Sequence, residues 1–356
     1  MNIPATPSPL RRLSVLDQSP IAEGASGGEA LRNTLDLARL TDRLGFHRYW
    51  LAEHHATPML AGASPEVMIG PVAAATARIR VGSGGVMLPH YSPLKVAESF
   101  SMLAGLHPGR IDLGLGRAPG SDRRTAFALQ RDRRQESPDD FPEQLAELMA
   151  YFKDRIAPTH PFARLAGTLP GRPECPEFWL LGSSPQSGIW AAALGLPYMF
   201  ADFISPEGAA IATRYKSEFA ASEDLAAPSI GVAVSVICAE TDEEAWRLSA
   251  SIRMAIILLQ SGRLVAVPRP EAALTFLKDE LGSPDARARN RRLVAGSPAT
   301  VRAGIEAVAR DYGAEEVMIV TITHDHRARR RSYELVAEAF GLTPEGSLAE
   351  PASAAR

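Results

Sequence analysis

The chain has 356 residues, 46% of them hydrophobic and 22% charged, the make-up of a globular protein with a large core. The formal net charge is −3, so no basic field points to nucleic acid or to an anionic membrane surface. Cys175 and Cys238 stand far apart with no CxxC, which excludes a disulfide framework and a cysteine zinc cluster and fits a cytoplasmic setting.

The start, MNIPATPSPLRR, lacks the apolar stretch of a secretory signal, and no apolar run reaches the ~18 residues of a membrane span. Residues 1–12 and 343–356 are expected to be disordered. In between, a first strand is expected at 13–17 (LSVLD), followed by a glycine-rich loop. Leu31, Leu35, Ala38 and Leu44 then recur at helical spacing until Gly45 stops the pattern. The second strand is 49–52, and Ser64-Pro65-Glu66 opens a helix that runs to about Arg78. Strand three covers 80–88 (RVGSGGVML), Ser92-Pro93 opens the next helix, and strand four covers 110–115. A long charged loop at 117–139 precedes a helix at 140–156. Strands are expected at 178–181, 198–203 and 229–239, with helices at 187–194 and 207–221 between them. Thr241 and Glu244 form a capping box for the helix that follows. A helix at 297–312, a last strand at 316–322 and a helix at 329–340 close the pattern.

Eight strands separated by helices give a (β/α)8 TIM barrel as the fold class, within one domain at 13–342. The stretch 240–296 is an insertion near strand seven, holding a helix, the apolar MAIILLQSG and a segment rich in proline and arginine. An open doubly wound sheet is the second reading.

Active sites of such barrels collect at the C-terminal ends of the strands. After strand five stands GSSPQSG at 182–188, where a helix N-terminus and serine hydroxyls offer donors to one phosphate, with Arg117 one strand away as a basic partner. An ordinary capping loop explains the same serines. Gly84 and Gly85 interrupt an apolar strand, which marks a bulge or a close approach to the backbone. GLGRAPG at 114–120 has the wrong spacing and the wrong place for a dinucleotide fingerprint. Strand two ends in Glu53-His54-His55. Adjacent histidines on extended chain point to opposite sides, and no HExxH or HxH is present, so no metal site is expected. A neutral imidazole lining a pocket, able to take or hand on a proton, competes with core histidines. The run Arg327–Arg331 reads as a solvated helix face, and Trp50, Trp179, Trp190 and Trp246 read as core.

Four segments, in order, now carry a resemblance: YWLAEHH at 49–55, VGSGGVMLP at 81–89, GRIDLGLGRAPG at 109–120 and WLLGSSPQSGIWAAALG at 179–195. Over about 13–341 the chain resembles the bacterial-luciferase-like flavin-dependent monooxygenases, in particular the luciferase-like oxidoreductases with no light-emitting role. The resemblance implies a TIM barrel that binds reduced FMN, or in some branches the deazaflavin F420, and uses O2 on a small organic substrate. It implies phosphate binding by Ser183, Ser184 and Ser187 with Arg117, and a cis peptide at Gly84-Gly85 under the flavin ring. It assigns proton transfer to His54 and places Glu53 and His55 in the same pocket. Gly116 stands where bacterial luciferase has a reactive cysteine, which argues against light emission and an aldehyde substrate. An NAD(P)H:flavin reductase as transient partner and a homodimer through the early helices are further implications. Two alternatives stay open. One is F420-dependent hydride transfer, which the basic residues Arg123, Arg124, Arg131, Arg133 and Arg134 keep in view. The other is a non-catalytic flavin-binding protein, against which the intact EHH triplet argues.

Overall fold

The structure, a computed structural model, describes residues 8–118, 122–130, 140–165, 169, 174–288 and 291–344. Among the described residues nine parallel strands are present: β1 (Arg12–Asp17), β2 (Arg48–Leu51), β3 (Arg80–Met87), β4 (Ile111–Gly116), β5 (Glu177–Gly182), β6 (Tyr198–Ala201), β7 (Ile230–Cys238), β8 (Leu293–Gly296) and β9 (Glu316–Val320). Eight of them close a barrel in the order β1-β2-β3-β4-β5-β6-β7-β9, and β9 pairs back onto β1, with Val15 opposite Ile319. The expected TIM barrel is therefore what the chain forms. β8 was not anticipated. It lies outside the ring, on the last residues of β7, with Ser235 opposite Leu293 and Cys238 opposite Gly296.

Period-two alternation sorts each strand between two cores. In β2, Trp50 joins Leu16, Trp179, Met199, Ala233 and Met318 inside the barrel, and its ring meets Trp179 edge-on at 5.4 Å. Tyr49 and Leu51 face outward and pack with Leu13, Val15 and the helix residues. Those helices follow their strands: α1 (Gly27–Leu44), α2 (Pro65–Ala75), α3 (Pro93–Leu106), α4 (Arg123–Leu129), α5 (Phe141–Lys153), α6 (Pro185–Leu194), α7 (Ala209–Ser217), α8 (Asp242–Gln260), α9 (Pro270–Leu281), α10 (Pro298–Tyr312) and α11 (His326–Phe340). Their ends follow local chemistry. The Ser26 hydroxyl accepts the Glu29 N–H at the start of α1, and Gly45 ends that helix in the left-handed region at φ 87°. Thr241 accepts the Glu244 N–H at the start of α8, as its capping box predicts.

Three sequence readings change. MAIILLQ is not a separate element but the last turns of α8, and the proline-rich segment after it opens α9 at Pro270. The charged stretch after β4 holds α4, capped by Asp122; Gly120, Arg131, Arg133 and Arg134 lie outside the described residues. The run Arg327–Arg331 is only partly solvated. Arg329 is buried, and its Nη2 meets Asp17 Oδ1 at 2.7 Å, because a helix face that packs on the barrel must pair any cation it buries. Among the described residues no helix is long and apolar enough to cross a membrane, and both cysteines are free.

The N-terminal end of the barrel is closed by charge. Arg48 is 3% exposed and meets Asp112 at 2.8 Å, Glu177 at 3.0 Å and Glu316 at 3.2 Å. Trp50 Nε1 also donates to Asp112, at 2.8 Å, and Arg80 pairs with the same carboxylate.

Candidate functional site

At the opposite end the barrel opens into a cavity of about 1120 Å³. Its floor is the apolar inner core, with Leu16, Trp50, Met199, Ala233 and Met318. The strand ends supply the polar wall: Gln18 after β1, Glu53 and His54 after β2, Arg117 after β4, and Ser183 and Ser184 after β5. Most of the residues expected at the site thus meet at one mouth.

The EHH triplet divides into two roles. Glu53 is buried; Oε2 accepts the Met87 N–H at 2.9 Å, Oε1 lies 2.8 Å from His55 Nε2, and the Tyr91 hydroxyl also bonds to it. It thereby ties the end of β2 to the end of β3. His55 stays with Glu53 and is not part of the cavity lining. His54 lines the cavity beside Glu53. Its Nδ1 is buried with no hydrogen-bond partner among the described residues. Burial, and next the neighbouring His55, pushes the imidazole pKa down to about 4, so His54 is neutral at neutral pH. A neutral imidazole at a cavity wall is equipped to accept or return a proton.

Gly84 and Gly85 form the wall beside it, joined by a cis peptide as the resemblance implied. The register of β3 against β4 shifts between Gly84 and Val86. A Cβ on Gly84 would lie 2.6 Å from Leu16 Cδ1, and one on Gly85 would lie 2.7 Å from the Gly114 carbonyl. The two glycines are thus required by the bulge and its neighbours, and the flat backbone they leave faces the cavity.

The phosphate reading concerns the rim between β4 and α6. Ser184 is the N-cap of α6 with no side-chain cap bond, and Pro185 follows, so the first turn presents unbonded N–H groups beside Ser183. Arg117 stands across the gap, its guanidinium 5.6 Å from the Trp190 ring, which stacks on Phe141. Ser187 is different: its hydroxyl is turned into the wall, donating to the Ser184 carbonyl at 2.8 Å and lying 2.9 Å from the Tyr198 hydroxyl. It organises the loop rather than facing the cavity with Oγ. Arg123 lines the cavity from α4.

Sequence reading placed Gln18 at the end of strand one without giving it a role, and grouped four tryptophans as core. Gln18 is buried at the mouth, and its position directly after β1 was the available signal. Trp50 and Trp179 are buried core, Trp50 also forming the cavity floor, whereas Trp190 and Trp246 are only partly buried and line cavities with arginines over their rings. No group of three or more His, Cys, Asp or Glu among the described residues is arranged to hold a metal.

The profile of the family described as luciferase-like monooxygenase matches residues 12–316. The chain belongs to that family. It is 42% identical to a luciferase-like monooxygenase of Escherichia coli strain K12, over 90% of this chain and 95% of that one. It is 36% identical to an N-acetyl-S-alkylcysteine monooxygenase of Bacillus subtilis strain 168, over 92% of this chain and 98% of that one. The crystal structure of apo-MsnO8 superposes with a TM-score of 0.84 at 41% identity, covering 94% of this chain and 99% of that one. More distant structures share the fold: the oxygenating constituent of 3,6-diketocamphane monooxygenase in complex with FMN (TM-score 0.69, 21% identity, 96% of this chain and 100% of that one) and an F420-dependent secondary alcohol dehydrogenase (0.67, 13%, 94% and 99%).

Proposed function

We propose that the protein is an FMN-dependent monooxygenase acting on a small organic substrate. The observation that carries this reading is the 1120 Å³ cavity with a buried, uncommitted imidazole at one wall and a helix N-terminus with an arginine at its rim. Pockets for one drug-sized ligand usually span ~300–1,000 Å³, so this one has room for a flavin and a small partner. Bound reduced FMN would supply two electrons and two protons, one atom of O2 entering the substrate and the other leaving as water. The chain's own work is then to bind and to exclude water. Arg117, Ser183, Ser184 and the first turn of α6 hold the phosphate, Gly84-Gly85 supports the ring, and the apolar floor keeps water out. His54 moves the proton from the cavity wall, where its backbone N–H is fixed by the Gly62 carbonyl at 2.8 Å. The N-acetyl-S-alkylcysteine monooxygenase among the relatives favours a sulfide or similarly soft acceptor.

F420-dependent hydride transfer on the same barrel is the second reading. Arg123 on the cavity wall favours it, since a longer acidic tail needs extra cations; the high identity to monooxygenases favours FMN. Val67 on α2 with Met102 and Leu106 on α3 are large apolar side chains left exposed, which supports a homodimer through these helices. A cytoplasmic location and reduction of the flavin by a separate NAD(P)H:flavin reductase complete the proposal.

Flavin titration tests it, followed by fluorescence quenching with FMN, riboflavin and F420. FMN binding at least ~30-fold tighter than riboflavin, a difference of ~2 kcal/mol, is the expected result. Binding of F420 alone moves the protein to the hydride-transfer reading, and binding of none of them overturns both.

A further inference from the structure

A second cavity of about 230 Å³ adjoins the first on the side of β7, β9 and α8. The two share Gln18, His54, Phe203 and Ile204, so His54 stands at their junction. At ~30 Å³ per water the second space holds roughly eight waters, so its occupant is small. Its wall is aliphatic, formed by Ile237, Ile252, Ile256, Val320 and Ile322. Among the described residues its charged lining has one sign: Arg253, Arg287, Arg291 and Arg292 line it, and no aspartate or glutamate does.

The four arginines are not equivalent. Arg292 is paired with Asp202 and Asp311, both at 3.2 Å. Arg253 donates to the Pro284 and Ala286 carbonyls and stacks on Trp246, and Arg287 lies over the same ring from an exposed position. Arg291 is anchored through Nη1, which donates to the Phe203 carbonyl at 2.9 Å and to the Ile204 carbonyl at 2.7 Å. Its Nε is buried with no hydrogen-bond partner, and no carboxylate among the described residues pairs with it. A guanidinium fixed by two carbonyls on a cavity wall, with no carboxylate among the described residues to neutralise it, leaves a positive charge that an anion in the cavity completes. Burial lowers its pKa, with no neighbouring acid to raise it.

We propose that this second cavity binds the oxygen-accepting substrate, a small amphiphilic carboxylate whose anionic group pairs with Arg291 and whose uncharged part lies on the isoleucine wall next to His54. The role as acceptor site rests on the flavin reading above; the binding of a carboxylate does not. The phosphate rim and this pocket lie on different sides of the mouth, since β4 and β5 carry one and β7 and β9 the other. Flavin and carboxylate should therefore bind together.

The test is calorimetric titration of the full chain with hexanoate and with hexanamide, which has the same shape and no charge. Hexanoate is expected to bind at least ~tenfold more tightly than hexanamide, and Arg291→Met to erase that preference while leaving FMN binding unchanged. Should Arg291→Met fail to fold, Ile256→Trp, which fills the pocket from α8, is expected to abolish hexanoate binding. Equal binding of acid and amide overturns the proposal. So does an unchanged preference in Arg291→Met or in Ile256→Trp, or displacement of hexanoate by FMN, which would place the acid in the phosphate site. Failure of FMN to bind, with hexanoate still selected by Arg291, would overturn the flavin reading and the acceptor role but not the carboxylate site.

Discussion

The two ends of this barrel treat buried charge in opposite ways. At the N-terminal end Arg48, Asp112, Glu177, Glu316 and Arg80 sit at the starts of five strands, and the cations meet carboxylates within 3.2 Å. At the C-terminal end His54 Nδ1 and Arg291 Nε are buried without hydrogen-bond partners. Buried polar groups without partners cost free energy, and His47 Nε2 beside the closed end is one as well, so the contrast is one of charge: carboxylates neutralise the buried arginines at one end, while Arg291 at the other has no carboxylate partner among the described residues. The closed end ties the strand starts together; the open end is where we propose that ligands bind.

The largest effect should come from breaking the closed end. Arg48→Ala leaves Glu316 and Asp112 without their main counter-charge and is expected to cost ~3–5 kcal/mol in urea unfolding, the range for removing one partner of a buried pair. FMN affinity of the folded fraction should stay within about twofold, because the site lies at the far end of the strands. A stability loss under ~1 kcal/mol would show that this network does not hold the barrel and would break the contrast between the ends.

The next effect is a pH dependence. His54 has an ordinary pKa of 6.5 and is pushed down to about 4 in the fold, and His47, near the closed end, behaves alike. The unfolded chain therefore binds more protons between these values, and stability rises with pH across the window. The contribution is complete above pH 6.5 and is lost as pH falls toward 4, by up to ~3 kcal/mol per histidine. Urea melts from pH 4.5 to 7.5 should show that slope, and His54→Asn should lower it by close to one proton, while His47, His107 and His326, whose pKa values burial also lowers, keep a share. An identical slope in His54→Asn would mean that His54 is solvated and not the buried imidazole described above.

Smaller again is the loss of phosphate grip. Arg117→Ala and Ser184→Ala should each weaken FMN binding by ~1–3 kcal/mol and leave riboflavin binding unchanged, since riboflavin has no phosphate to lose. Equal weakening for both flavins would move their role from the phosphate to the ring.

Much of this molecule was legible because the barrel writes itself as alternation. Eight apolar strands between capped helices set the fold, and glycine or serine at the strand ends marked the mouth. What escaped depended on distance in sequence. β8 is four residues, LVAG, with no alternation of its own, and it exists because the end of β7 leaves it an edge. Arg329 looked solvated because its partner Asp17 is 312 residues away. Arg291 carried no local mark at all, since its meaning lies in the carbonyls of Phe203 and Ile204 and in an acid that is not there. The EHH triplet drew notice as three adjacent ionisable residues after β2, but that Glu53 would clamp β2 to β3 and keep His55 out of the cavity lining required knowing that Met87 ends beside it.

Ser187 gives the finest discrimination between holding the wall and holding the ligand. Sequence pattern grouped it with Ser183 and Ser184 as a phosphate donor, yet its hydroxyl is bonded to the Ser184 carbonyl and to Tyr198 inside the wall, and a Cβ on Gly182 would lie 2.2 Å from its Oγ. Ser187→Ala keeps the backbone N–H and removes only those two bonds. The expected result is a stability loss of ~1 kcal/mol, the usual worth of a buried neutral hydrogen bond, with FMN affinity changed less than about threefold. Ser184→Ala should show the reverse, a weaker FMN complex with unfolding little altered, since the Ser184 side chain is exposed and caps nothing. If Ser187→Ala instead lowered FMN affinity as far as Arg117→Ala does, the hydroxyl would have to rotate to the ligand on binding, and the loop after β5 would belong wholly to the open end of the barrel.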